Sequence, residues 1–178
     1  MHQYEDLIFI FNNSFLKEYN TKLVKGGDEP LYLPADESNP HHSVIFAHGF
    51  YSSALHECSH WLIAGEERRK LLDFGYWYAP DGRTAAEQDI FQKVEVKPQA
   101  LEWILSLAAS FKFSVSIDNL NGEAANKEQF KEDIYQQVKT YCNEGLPKRA
   151  KSFRDAICRY YGTNLSLKIE DFNFGELR

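Results

Sequence analysis

The stretch His56-Glu57-Cys58-Ser59-His60 decides how the rest of this chain is interpreted. Two histidines four residues apart lie on one face of an α-helix, so their ring nitrogens can converge on one metal ion. The glutamate after the first histidine projects close to that ion and can take a proton from a bound water. The motif predicts a metal centre with His56 and His60 as ligands and Glu57 as a catalytic residue.

The residues around this motif are typical of a helix. Ser52 or Ser53 can cap its start, and Leu55 and Trp61 contribute to an apolar side. Because no proline interrupts the following residues, the helix is predicted to continue to about Leu72. The alternative to a metal site is a coincidental pair of histidines in the core or on the surface.

Composition and charge narrow the class of protein. The chain has 178 residues, of which 43% are hydrophobic and 15% aromatic, and this length suits a single domain over residues 1–178. The net charge of −6 argues against a general nucleic-acid binder. No apolar run approaches the roughly 20 residues needed to span a bilayer, and the first residues lack the basic start of a secretory signal. Three scattered cysteines predict reduced thiols and a cytoplasmic location.

Hydrophobic periodicity predicts an α+β fold, mostly helical with a small sheet. Besides the metal-binding helix, helices are predicted over residues 4–19, 84–97, 99–111, 126–145 and 147–162. Strands are predicted over residues 21–25, 31–33, 43–47 and 113–117. The first two strands could form a hairpin around residues 26–30. Pro98 is expected to kink its helix or divide it in two, and residues 163–178 are expected to pack loosely.

A metal centre of this kind needs a third protein ligand. Glu95 is the best candidate, since it follows on the next helix as a charged residue between two valines. An ordinary exposed glutamate is the alternative for this position. Glu102, Asp81 and Asp118 are weaker candidates. His48 follows a buried-looking strand and could be a ligand, a substrate contact or a structural histidine.

Two histidines and one carboxylate fit two chemistries. With zinc they form a hydrolase, in which Glu57 takes a proton from the water that attacks a carbonyl. With ferrous iron they form a facial triad with open positions for dioxygen, and Glu57 becomes an auxiliary residue. The motif alone favours hydrolysis, so a zincin-like zinc metallopeptidase or amidase using His56-Glu57-x-x-His60 is one alternative. A non-enzymatic binding module with a structural metal is another.

Several separate blocks of the sequence carry a resemblance to a known family. The blocks are DEPLYLPAD at 28–36, HGFY at 48–51, HECSHW at 56–61, DFGYWYAPDGR at 73–83 and VEVKPQAL at 94–101. In this order they resemble the elongation factor P hydroxylase family. The resemblance covers nearly the whole chain and thins beyond about Asn119.

The resemblance implies an iron-dependent enzyme that hydroxylates a lysine of translation elongation factor P after that lysine has received a β-lysyl group. It implies His56 and His60 as metal ligands with Glu95 as the carboxylate, held by a zincin-like pair of helices. Ferrous iron and dioxygen are the implied cofactor and cosubstrate, although zinc also suits the residues, and the electron donor stays open. Elongation factor P is the implied partner, with no direct role for nucleic acid or a membrane.

An aromatic segment near the motif is a candidate for holding the substrate. Tyr76, Trp77 and Tyr78 could flank a long cationic lysine side chain, by packing on its stem and by cation–π contact at its amine. Asp81 or Asp118 could pair with the amine, and His48 could contact the substrate. Plain core packing is the alternative for the three aromatic residues.

Overall fold

The computed structural model describes residues 2–75, 82–117 and 126–177 of the chain. Five residues with predicted roles in the site lie outside these ranges, namely Tyr76, Trp77, Tyr78, Asp81 and Asp118. The predictions made for them therefore stay predictions.

The described residues form five α-helices and three strands, which confirms an α+β fold that is mostly helical with a small sheet. The helices are α1 (Tyr4–Tyr19), α2 (Tyr51–Ile63), α3 (Ala85–Ala108), α4 (Lys127–Glu144) and α5 (Lys148–Tyr161). The strands are β1 (Thr21–Lys25), β2 (Leu31–Leu33) and β3 (His42–Phe46). None of the described helices combines the length and apolar character needed to cross a membrane.

The sheet has the strand order β1-β3-β2. Strand β1 runs parallel to β3, and β2 runs antiparallel to it. The predicted hairpin between β1 and β2 is therefore wrong, because β3 lies between them. Leu23, Val44 and Phe46 are buried where α1 packs on β1 and α2 packs on β3. Since β3 leads almost directly into α2, the sheet fixes the start of the helix that carries the two histidines.

Helix α2 is shorter than the sequence suggested. It begins at Tyr51 and ends at Ile63 rather than near Leu72, because Ala64 adopts an extended backbone conformation. The charged residues that follow form turns, including the 3-10 helix Arg68–Lys70. The strong helix formers at residues 66–72 predict a longer helix, but helical propensity is only a weak guide to where a helix stops.

The predicted serine cap of α2 is also wrong. Phe50 occupies the N-cap position, and no side chain bonds to the first turn there. Ser53 lies inside the helix, and its hydroxyl oxygen accepts a hydrogen bond from the backbone N–H of Ala47 at 3.1 Å. Its hydroxyl oxygen therefore ties the end of β3 to α2 instead of capping the helix.

Helix α3 runs without a break for 24 residues. A capping box opens the helix, with the Thr84 hydroxyl accepting from the Glu87 N–H and the Glu87 carboxylate accepting from the Thr84 N–H. Pro98 does not divide this helix in two, so the predicted division into helices over 84–97 and 99–111 is wrong. Every residue from 98 to 106 is buried against α2, α4 and α5. Burial of this whole segment outweighs the hydrogen bond that proline removes.

Two further predictions for the second half of the chain are wrong. Residues 113–117 form no regular strand in the described part of the chain, because both backbone groups of Ser116 bond to the side chain of Gln99. The C-terminal segment does not pack loosely. Phe172 and Leu177 are buried, and the ring of Phe172 packs edge-on against Trp103.

Candidate metal centre

Three side chains from α2 and α3 converge on one point. Ligand atoms of His56, His60 and Glu95 all lie within 4.8 Å of one another. Nε2 of His60 is 3.1 Å from one carboxylate oxygen of Glu95, and Nε2 of His56 is 3.4 Å from the other. The two Nε2 atoms are 3.2 Å apart. The structure thus brings together the three residues that the sequence suggested as ligands.

The packing of α2 explains why its histidines face α3. Leu55, Cys58 and Trp61 are fully buried on the sides of α2 that meet the core. The remaining stripe, which carries His56 and His60, is turned toward α3. The side chain of His56 keeps 21% of its surface exposed, whereas that of Glu95 keeps 1%. The cluster is therefore anchored in the interior and open on the side of His56.

Glu102 binds the ring nitrogen of His56 that points away from the cluster. Its carboxylate oxygen lies 2.8 Å from Nδ1 of His56, and the residue is buried two helical turns beyond Glu95. A neutral His56 that donates from Nδ1 has its lone pair on Nε2, which then points to the space shared with His60 and Glu95. Glu102 is a weaker candidate ligand by its sequence, whereas in the structure it is the hydrogen-bonding partner of His56.

Gln99 connects Glu95 to the segment after α3. Its amide nitrogen lies 3.5 Å from a Glu95 oxygen and donates to the carbonyl of Ser116 at 2.7 Å. Its amide oxygen accepts from the N–H of Ser116 at 3.1 Å. These bonds fix which way the amide faces, so an N–H is held toward Glu95. Nothing in the sequence pattern assigns Gln99 this task.

The cluster concentrates negative charge around two histidines. Burial tends to raise the pKa of Glu95, but the charges of His60 and His56 outweigh it and lower this pKa to about 2. Burial tends to lower the pKa of His56, but the charge of Glu95 and the bond to Glu102 raise it well above its usual range. Burial raises the pKa of Glu102. An electrostatic environment that favours a proton on His56 also favours a metal cation.

Glu57 lies beside the cluster and His48 lies apart from it. Glu57 is partly buried and interacts electrostatically with both histidines of the motif, and burial raises its pKa. The described contacts of His48 are with Asp28, at 3.7 Å, and with the ring of Phe50. The backbone of His48 has a φ of 57°, which is uncommon outside glycine. The prediction that His48 contacts the substrate is not tested by these contacts.

Comparison with known proteins adds to this geometry. Residues 10–172 match the family described as elongation factor P hydroxylase. The chain belongs to the elongation factor P hydroxylase family. It is also 57% identical over 172 residues to an elongation factor P lysine hydroxylase of Haemophilus influenzae, with 97% of each chain covered.

This membership settles the class of enzyme. The chain is a hydroxylase, as the sequence resemblance implied. The alternative of a zinc metallopeptidase or amidase is not favoured, although it shares the His-Glu-x-x-His motif. The cluster of His56, His60 and Glu95 is therefore a candidate metal site within a hydroxylase.

Proposed function

We propose that this hydroxylase is an iron-dependent enzyme that hydroxylates the β-lysyl-modified lysine of translation elongation factor P, with residues 1–178 forming one catalytic domain. Support comes from a relative of 57% identity whose name specifies a lysine of elongation factor P. The observation that carries the metal dependence is the buried cluster of His56, His60 and Glu95 between α2 and α3.

The residues of the cluster fit a ferrous ion. Two imidazole nitrogens and one carboxylate are the donors of facial-triad iron oxygenases. One buried oxygen of Glu95 lies 3.1 Å from Nε2 of His60 without a well-aligned hydrogen bond among the described residues, and a cation between the two groups would satisfy both atoms. His56 and His60 would both bind through Nε2, which faces Glu95 in each case. Zinc accepts the same donors, but the oxidative chemistry of the family favours iron.

His56, His60 and Glu95 would hold the ferrous ion, which would supply the activation of dioxygen. In the overall reaction, one oxygen atom enters a C–H bond of the lysine side chain. The other is reduced to water by two electrons and two protons from a reductant. Glu57, held beside His56, is placed to pass protons near the cluster. Glu102 and Gln99 keep the ring of His56 and the carboxylate of Glu95 in the orientations that the site needs.

The pair of helices is zincin-like in the sense that one helix carries His-Glu-x-x-His and the next helix supplies the third ligand. The aromatic residues Tyr76, Trp77 and Tyr78 stay proposed contacts of the modified lysine, together with Asp81 and His48. Elongation factor P is the proposed partner, in the cytoplasm, and neither nucleic acid nor a membrane is needed for the reaction.

The test is mass spectrometry of lysylated elongation factor P after incubation with this protein, ferrous iron, a reductant and air. We expect the modified lysine to gain one oxygen atom, and the gain to be absent in a matched anaerobic sample. Unmodified elongation factor P serves as the second control, and it is expected to react poorly. Equal oxygen gain with and without the enzyme would contradict the proposal.

A further prediction concerns Glu102, which acts on the site through His56. Replacing Glu102 with alanine is expected to weaken ferrous-ion binding by about 10- to 100-fold, because His56 loses the group that orients its ring. Glu102→Gln keeps an oxygen that can accept from Nδ1 and should recover part of this loss. Binding is measured by metal titration of the metal-free protein, so the result does not depend on turnover. Equal affinity in the alanine variant and the wild type would show that Glu102 does not position His56.

A further inference from the structure

A second concave site lies at the other end of α2. It is a depression of about 330 Å³ between the last residues of α2 and the first residues of α5. Its walls include Tyr19, Ala64 and three basic residues, Arg69, Lys148 and Arg149. Neither the metal ligands nor their hydrogen-bonding partners line it, and the proposed hydroxylation gives it no task.

Two arginines in this depression share one aromatic surface. The guanidinium carbon of Arg149 lies 4.7 Å from the ring centre of Trp61 and 5.7 Å from that of Tyr19. The guanidinium carbon of Arg69 lies 5.9 and 5.8 Å from the same two rings. Cation–π attraction holds each arginine in place, but together these contacts bring two positive charges close to each other.

These two charges have no carboxylate partner in the described part of the chain. Neither Arg69 nor Arg149 forms an ion pair with any described residue, although the exposed Glu66 also lines the depression. Both arginines are partly buried. Burial, and then the charge of Arg69, lower the pKa of Arg149 to about 10. A partly buried pair of like charges is costly unless an anion neutralises it.

The two arginines differ in how their donors are used. Arg149 donates to the carbonyls of Leu62 and Ala64, so it closes the C-terminal end of α2. Among the residues that the structure describes, the side chain of Arg69 has no hydrogen-bond partner, and its Nε is buried. Arg69 therefore offers donors that no described residue uses, beside the already oriented guanidinium of Arg149.

The start of α5 adds positive potential to the same place. Pro147 is its N-cap residue and no side chain bonds to the first turn. The unpaired N–H groups of a helix start carry partial positive charge. Lys148 lies here too, and its ion pair with Glu18 is long, at 3.4 Å, and exposed.

We propose that this depression is an oxoanion site that takes a phosphate group between Arg69 and Arg149. The planar donor fork of a guanidinium matches the oxygens of phosphate, and a second guanidinium matches its second charge. The phosphate belongs either to inorganic phosphate or to a small phosphate ester. Because Arg149 also holds the end of α2, a bound phosphate would brace the helix that carries His56 and His60.

Calorimetric titration of the purified full chain with inorganic phosphate, at constant ionic strength, tests this site. We expect saturable binding at one site, weakened about tenfold or more by Arg69→Gln. Arg159→Gln is the matched control, because Arg159 is an exposed arginine on α5 away from the depression, and it should leave the affinity unchanged. Arg69→Lys, which keeps the charge but loses the fork, should give an intermediate affinity.

Two further measurements identify the source of the phosphate and test binding in the wild-type protein, where misfolding of a variant plays no part. Glycerol phosphate binding more tightly than inorganic phosphate would indicate an ester, and the reverse order would indicate the free ion. In the wild-type protein, phosphate should also shift the indole N–H resonance of Trp61, identified by its loss in Trp61→Phe. Absence of saturable binding and of this shift, or equal weakening by Arg69→Gln and Arg159→Gln, would overturn the proposal.

Discussion

Replacing Glu95 with glutamine is expected to abolish hydroxylation of elongation factor P and to weaken ferrous-ion binding by more than about 100-fold, beyond the usual cost of losing a supporting residue. Glutamine has nearly the same volume as glutamate, so the buried position between α2 and α3 stays filled. What is lost is the negative charge that faces Nε2 of both His56 and His60. A neutral amide oxygen is a much poorer ligand for a divalent cation.

The Glu95 variant should remain folded, because the buried segment 98–106 of α3 and its packing against α2 are unchanged. Its melting temperature in metal-free buffer should therefore stay close to that of the wild type. Added ferrous iron should raise the melting temperature of the wild type alone, because only a protein that binds the ion is stabilised by it. Asp89→Asn, which removes an exposed carboxylate from the same helix, is the control and should retain activity. A fully active Glu95→Gln variant would exclude Glu95 as a ligand.

The three clustered residues could be suggested from the sequence because helical periodicity fixes which side chains share a face. The prediction that His56 and His60 lie side by side required only a helix over the motif, and α2 is that helix. The choice of Glu95 rested on a charged residue between apolar neighbours on the next helix, and the burial of Glu95 explains those neighbours. The resemblance to a family then selected hydroxylation over hydrolysis, a choice that the motif alone would have made wrongly.

The roles of Gln99 and Glu102 could not be predicted from the sequence, because Pro98 hides the continuity of their helix. If a helix ends at Pro98, Gln99 and Glu102 belong to a second helix whose direction is unknown. Because α3 continues through Pro98, the three residues Glu95, Gln99 and Glu102 lie along one face within two turns. Local propensity cannot show this, since the continuity depends on tertiary burial of residues 98–106. The errors in the sheet and at the end of α2 have the same origin, in contacts between distant segments.

Reconstitution with different metals is expected to separate binding from chemistry at this site. Metal-free protein should regain hydroxylation with ferrous iron and show none with zinc, under the same air and reductant. Both ions suit two imidazoles and a carboxylate, so both should raise the melting temperature of the wild type. Zinc has no redox chemistry, so it can fill the site defined by His56, His60 and Glu95 without supporting oxidation.

The zinc-loaded protein also gives the sharpest comparison with the hydrolytic alternative. If His56-Glu57-x-x-His60 served a peptidase, zinc would produce cleavage of a peptide or amide bond in elongation factor P, with Glu57→Gln as the inactive control. Under the proposed function, zinc should instead compete with ferrous iron and inhibit oxygen gain in proportion to its occupancy. The same mass spectra distinguish the two outcomes, since hydrolysis shortens the protein chain whereas hydroxylation adds one oxygen atom to the modified lysine.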